Sequence, residues 1–253
     1  QSVDVKLVKA SREAGTLQHE YEVLQQLGGV NGVPRAHWFG PEYPYDALVL
    51  DPLGPTLEDV FAASGRKLSL GTIVDIARRL ITCLEDVHLH QYLHRNISPS
   101  SIFLGDQQSG NIYLSEFMLA HRFRDTFMHR HLSIPSSETL TYSADFASID
   151  CHLGAPVGRC DDLESLAYVF LYLSTGSLPW RHPNQTNDVI LHGKQATLAN
   201  MNDSLQSSPT EFLNILSYAR SLSFTDKPDY PYIHSLLHDL DSRLTSEETA
   251  PFN

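Results

Sequence analysis

His94-Arg95-Asn96-Ile97-Ser98-Pro99-Ser100-Ser101, followed by Ser115-Glu116-Phe117-Met118, is the stretch on which the reading of this chain turns. Its side chains are polar but chemically mild. The Asn96 amide cannot accept a proton at neutral pH, and Ser98 and Ser101 offer short hydroxyls. Glu116 is the one carboxylate. Upstream, Ile73, Ile76, Ala77, Leu80, Leu84 and Val87 make the apolar stripe of a long helix. Downstream, two short strands bracket Gly105 to Gly110.

Further out, Val3 to Val8 alternates as a strand around Lys6. Leu17, Tyr21 and Leu24 carry a helix from Thr16 that Gly28-Gly29 ends. Val33 to Phe39 and Ala47 to Asp51 read as strands, and Pro52 to Pro55 as a linker. Thr56 is expected to cap a short helix through Ala63, with Glu58 and Asp59 in its first turn. Arg122 to Thr141 reads as a long loop, and helices are expected over 161–174, 210–222 and 230–244. The fold class is α+β, with a strand-rich beginning and a helical remainder.

The 18 basic and 30 acidic residues give a formal charge of −12, which speaks against binding nucleic acid or an anionic membrane through net charge. The apolar run at 163–173 is interrupted and too short to span a bilayer. Three cysteines without C-x-x-C spacing and no visible secretory signal lead to an expected intracellular setting, cytoplasmic or nuclear.

Several longer stretches resemble the casein kinase 1 branch of protein kinases. They are Leu53-Gly54-Pro55-Thr56-Leu57-Glu58-Asp59, Ala147-Ser148-Ile149 with His152-Leu153-Gly154, Asp161-Asp162-Leu163-Glu164-Ser165-Leu166, Gly176-Ser177-Leu178-Pro179-Trp180 and Phe224-Thr225-Asp226-Lys227-Pro228-Asp229-Tyr230. The resemblance implies one bilobal protein-kinase-like domain over 1–253. It has a small β-rich N-lobe (about 1–51, without its first strands), a hinge at about 51–55 and a large helical C-lobe (about 56–253). The glycine-rich loop expected ahead of Lys6 is not in the sequence.

In such kinases the opening stretch is H-R-D-x-K-P-x-N, followed by D-F-G. An Asp accepts the substrate proton, while an Asn and a second Asp hold magnesium. Against that pattern Asn96, Ser98, Ser101, Glu116 and Met118 are all exchanged. Losing the base alone removes about 10²–10⁴-fold of rate. Glu116 keeps a carboxylate but lengthens it, which suits magnesium's strict geometry poorly. Lys6 and Glu20 match the phosphate-contacting lysine and its helix partner; nucleotide contact and bracing of the small lobe both stand as readings. Leu50, Asp51 and Leu53 match the segment that meets adenine, with the Leu53 N–H expected to stay available. Phe103 and Met118 either intrude on the nucleotide site or simply pack.

Asp145 falls where the family binds anions through an Arg, in Tyr142 to Ser148, so the resemblance implies a reversed charge; a solvated loop charge is the plainer reading. Asp162 matches the residue that fastens the catalytic-loop backbone, and His94, Phe117 and Leu24 match spine positions. The expectation is a catalytically inactive, casein kinase 1-like pseudokinase that binds proteins, as scaffold or as subunit or regulator of another kinase. No cofactor or metal is expected. ATP with magnesium enters only under the alternatives, a nucleotide-binding switch or a weakly active atypical kinase.

Overall fold

The computed structural model describes residues 2–9, 14–105, 110–125, 128, 130–133, 143–182, 184–201 and 205–249. Tyr142 and much of the Arg122 to Thr141 loop lie outside them.

The chain opens with strand β1 (Asp4–Lys9), helix α1 (Ala14–Gln26), and strands β2 (Ala36–Glu42) and β3 (Tyr45–Leu50). The strands form an antiparallel sheet in the order β1-β3-β2. Lys6 pairs with Leu48, and Leu48 with Phe39, so this row shares one face of the sheet. Helix α1 lies against that face, where Tyr21 stacks on Phe39 at 5.8 Å between ring centroids. The register therefore aims Lys6 at the helix that carries Glu20.

Strand β2 begins later than its apolar pattern suggests. Pro34 has no N–H for a ladder, and the Val33 N–H closes a turn onto Val30 O. Pro41 is tolerated because β2 is an edge of the sheet. After β3 the linker passes very close to the hairpin that follows the helices. A Cβ on Gly54 would lie 2.2 Å from Leu104 O, and its φ is +90°, so only glycine fits there.

Helices α2 (Leu57–Ala63) and α3 (Leu70–Leu89) come next. The Thr56 side chain accepts from the Asp59 N–H, and the Asp59 carboxylate accepts from the Thr56 N–H, closing a capping box. The apolar stripe of α3 is buried as its spacing requires. Short pairs follow: β4 (Tyr92–Leu93) with β7 (His121–Arg122), and β5 (Ile102–Leu104) with β6 (Ile112–Leu114). These two pairings bring residues 94–101 alongside 115–120.

The remainder is helical: α4 (Ile149–His152), α5 (Arg159–Thr175), α6 (Asn187–Ala199), α7 (Thr210–Ser221) and α8 (Tyr230–Thr249). Every residue of α5 from Arg159 to Leu173 is buried, so it is the central helix around which α3 and α7 pack. Helices α4 and α6 escape the sequence reading for physical reasons. The first is a single turn capped by Ser148. The second buries only Ile190, Lys194 and Thr197, and so has no apolar stripe. Among the described residues no helix is long and apolar enough to cross a membrane.

Candidate functional site

Lys6 leaves β1 between two carboxylates. Its Nζ donates to Glu20 Oε2 and to Glu116 Oε2, each at 2.7 Å. Glu20 is fully buried, and its other oxygen accepts from the Phe117 N–H at 3.0 Å. Burial alone would lower the lysine's pKa, but the two carboxylates outweigh it and hold Lys6 above its usual value. For Glu20 burial wins over Lys6, and its carboxyl sits above the usual range. The sequence paired Lys6 with Glu20 alone; the structure adds Glu116, so that one ammonium serves both acids.

The backbone at this point corrects one expectation. Met118 is the residue that the resemblance matches to a glycine, whose backbone turns freely. The left-handed residue is instead Glu116, at φ 66° and ψ 47°, while Met118 lies half-buried in the 3-10 turn Phe117–Leu119. The turn therefore closes with a methionine present, and the strained position is carried by the residue that Lys6 anchors.

Residues 94–101 are held from below by Asp162 of α5. Its carboxylate accepts from the His94 and Arg95 N–H groups, both at 2.8 Å, and from His88 Nε2 at 2.9 Å. His88 Nδ1 in turn accepts from the Tyr230 hydroxyl. Burial would raise the Asp162 carboxyl, yet the hydrogen bonds it accepts from His88 and from the Arg95 N–H prevail and hold it below the usual range. His88 and His94 are pushed down by burial and stay neutral. The partners define the His94 tautomer: Nε2–H donates to Ser115 O at 2.8 Å, and Nδ1 accepts from the Asn96 N–H at 3.2 Å. The His94 and Phe117 rings meet edge-on at 4.5 Å. Leu24, on α1, is buried in the same core cluster as Phe117.

Inside this frame the exchanged side chains face each other and the backbone. The Asn96 amide oxygen accepts from the Ser143 hydroxyl. Ser101 Oγ accepts from the Ser98 N–H and donates to Ser98 O, each at 3.0 Å, so one hydroxyl staples the loop to itself. Both Asn96 and Ser101 are buried.

The adenine-matching segment departs from expectation. The Leu53 N–H is not available: it donates to Asp4 Oδ2 at 2.9 Å. Asp51 is also engaged, accepting from the Arg35 N–H at 3.1 Å and contacting His37 Nε2 at 2.8 Å. Leu50 is buried at the end of β3. Phe103 is half-buried, pairs with Tyr113 across the hairpin and packs on the core, with its backbone bridged to Thr56.

Asp145 is not a solvated loop charge. Its carboxylate pairs with Arg181 Nε at 3.2 Å, and its carbonyl accepts from Trp180 Nε1 at 2.9 Å. Burial raises its carboxyl, with Arg181 working the other way. The pair lines a cavity of about 390 Å³ that also touches Ser98, Ser143 and Gln185. A buried residue that the sequence did not single out secures this segment. Lys194 Nζ donates to Ala144 O and Ala147 O and faces the Tyr168 and Trp180 rings at 4.9 and 5.7 Å. Burial pulls its ammonium down to about 7. Its signal in the sequence was a single lysine in a polar helix, which is no signal.

His88 of α3 and His90, which caps that helix, go to separate places, His88 into the core and His90 Nδ1 to Asp86 O at 2.8 Å. Among the described residues no group of three or more His, Cys, Asp or Glu is placed to hold a metal ion. No known protein-family model matches the chain.

Proposed function

We propose that this chain is a casein kinase 1-like pseudokinase, a bilobal kinase-type fold that has lost phosphoryl transfer and acts by binding other proteins. The observation that carries this reading is Asn96. It stands at the base position as an amide, buried, with its oxygen accepting from Ser143. An amide has no proton-accepting form at neutral pH, and this one is already hydrogen-bonded.

The arrangement around it supports the same reading. Ser98 supplies no cation for a transferring phosphoryl group, and Ser101 is closed on its own loop. A sheet with one helix, a short linker and a helical body succeed each other, an order that supports the reading. Such a chain keeps a shaped surface without turnover, so its work lies in contacts, as scaffold or regulator of another kinase.

Phosphate incorporation from γ-labelled ATP into protein and peptide acceptors tests the reading. We expect none above background with Mg²⁺ or Mn²⁺, and no change in Lys6→Ala. Metal-dependent incorporation that Lys6→Ala abolishes would overturn it. A nucleotide-binding switch is the second reading, favoured by the intact Lys6–Glu20 pair and opposed by the engaged Leu53 N–H. A rise in melting temperature with millimolar ATP would favour it, because binding stabilises the native state by mass action.

A further inference from the structure

A second cavity, of about 460 Å³, opens where the turn after α1, the ends of β2 and β3, helix α3 and strand β6 meet. It shares no lining residue with the Lys6–Glu116 cluster. Arg35, Asp51, Arg79, Asn31, Asn111 and Tyr113 supply its polar groups.

Its walls are tied to one another by backbone. Leu114 N–H donates to Gly32 O at 2.7 Å, and Asp51 N–H to Arg35 O at 3.0 Å. Gly32, at φ +84°, lets this wall close on α3, since a Cβ there would lie 3.1 Å from Cys83 Sγ. The cavity is thus part of the packed fold.

Its charges are unequal. Asp51 is the one acid in the lining, and both its oxygens are engaged, by the Arg35 N–H and by His37. Asp75, beside the cavity on α3, pairs with Arg79 Nε at 3.0 Å, while Arg79 Nη1 donates to Gly110 O at 3.1 Å. Among the described residues the Arg35 guanidinium makes no hydrogen bond or ion pair, and neither does the Asn31 carboxamide. Asn111 Nδ2 donates to the Tyr113 hydroxyl at 3.1 Å. Two solvent-exposed arginines, Arg35 and Arg79, thus line one cavity on a chain whose net charge is −12. Its arginines offer donors that complement an acceptor with negative charge.

We propose that this cavity binds an anionic oxygen group, a carboxylate or a phosphate, gripped by Arg35 with Arg79 and Asn31 beside it. The inference stands apart from phosphoryl transfer and holds whether or not the chain is inactive. Arg35 suits the test because its structural hydrogen bonds are made by its backbone, so the side chain can be exchanged without loosening β2.

Amide chemical shifts of the ¹⁵N-labelled chain would be followed with sodium phosphate and with sodium succinate, against sodium chloride at matched ionic strength. Expected are saturable shifts at Asn31, Gly32 and Asn111 with at least one of the two anions and not with chloride. In Arg35→Gln the affinity falls at least about tenfold, as loss of a charge-assisted fork implies. Lys67→Gln, which removes a positive charge outside the cavity, leaves it unchanged. Saturation by phosphate alone assigns a phosphate-bearing ligand, and saturation by succinate a carboxylate. Absence of saturable shifts with both anions, or unchanged affinity in Arg35→Gln with the melting temperature preserved, would overturn the proposal.

Discussion

Two buried carboxylates, Glu20 with two hydrogen-bond donors and Asp162 with three, lie on opposite sides of the usual carboxylate range although burial raises both. Asp162 is held by two backbone N–H groups and a neutral histidine, all fixed by packing. Its carboxyl lies low in spite of burial. Glu20 has one backbone donor and a lysine that it shares with Glu116, and its carboxyl lies high. A packed histidine N–H together with main-chain donors opposes desolvation better than one flexible cation divided between two acids. The Asp162 site is a joint between helices and loop, and the Lys6 site is a partly open charge cluster.

The largest expected effect breaks that joint. Asp162→Ala strands two buried N–H groups and His88, which costs about 3–5 kcal/mol. For a chain of this size that lowers the melting temperature by roughly 10 °C. Asp162→Asn retains one acceptor oxygen and is expected to fall between Ala and the parent. A loss under about 1 kcal/mol in urea titrations of Asp162→Ala would show that the loop does not depend on this residue.

The charge cluster should respond less and unequally. Lys6→Met leaves Glu20 buried without its cation and is expected to cost about 1–3 kcal/mol. Glu116→Gln keeps Lys6 on Glu20 and removes only a part-exposed pair, so it costs less than about 1 kcal/mol. Equal losses for the two variants would mean that Glu116, and not burial of Glu20, sets the strength of the cluster.

The smallest effect is a pH dependence carried by the histidines around Asp162. Burial holds His88 and His94 below the ordinary value of 6.5. Below that pH the unfolded chain binds more protons than the folded one. Their stabilising contribution is therefore complete above pH 6.5 and is lost as pH falls toward their folded values. Denaturation midpoints should drop between pH 7.5 and pH 5.5, and His88→Gln should flatten the slope. A flat profile in the parent chain would contradict neutral, buried histidines.

Much of the fold was legible where side chains speak locally. The stripe of α3, the Thr56 cap and the alternation around Lys6 all place elements that the structure contains. Helix α6 was not legible because its inward positions include Lys194, whose burial depends on the carbonyls of Ala144 and Ala147 some 50 residues away. The same distance hid three site contacts. Asp4 reaches Leu53 across 49 residues, Ser143 reaches Asn96 across 47, and Arg181 reaches Asp145 from beyond α5.

What the sequence by itself determined is chemical identity: an amide at 96, hydroxyls at 98 and 101, a longer acid at 116 and an acid at 145. Residue types set which protons and charges exist, and no fold can make an amide a base. Tertiary structure alone decided how each group is engaged. It placed Asp4 on the Leu53 N–H, divided Lys6 between two acids, put the left-handed turn at Glu116 and, among the described residues, left the Arg35 guanidinium without a partner. Those outcomes depend on desolvation and on partners distant in the chain, and these exist only once the sheet, α1 and α5 have packed.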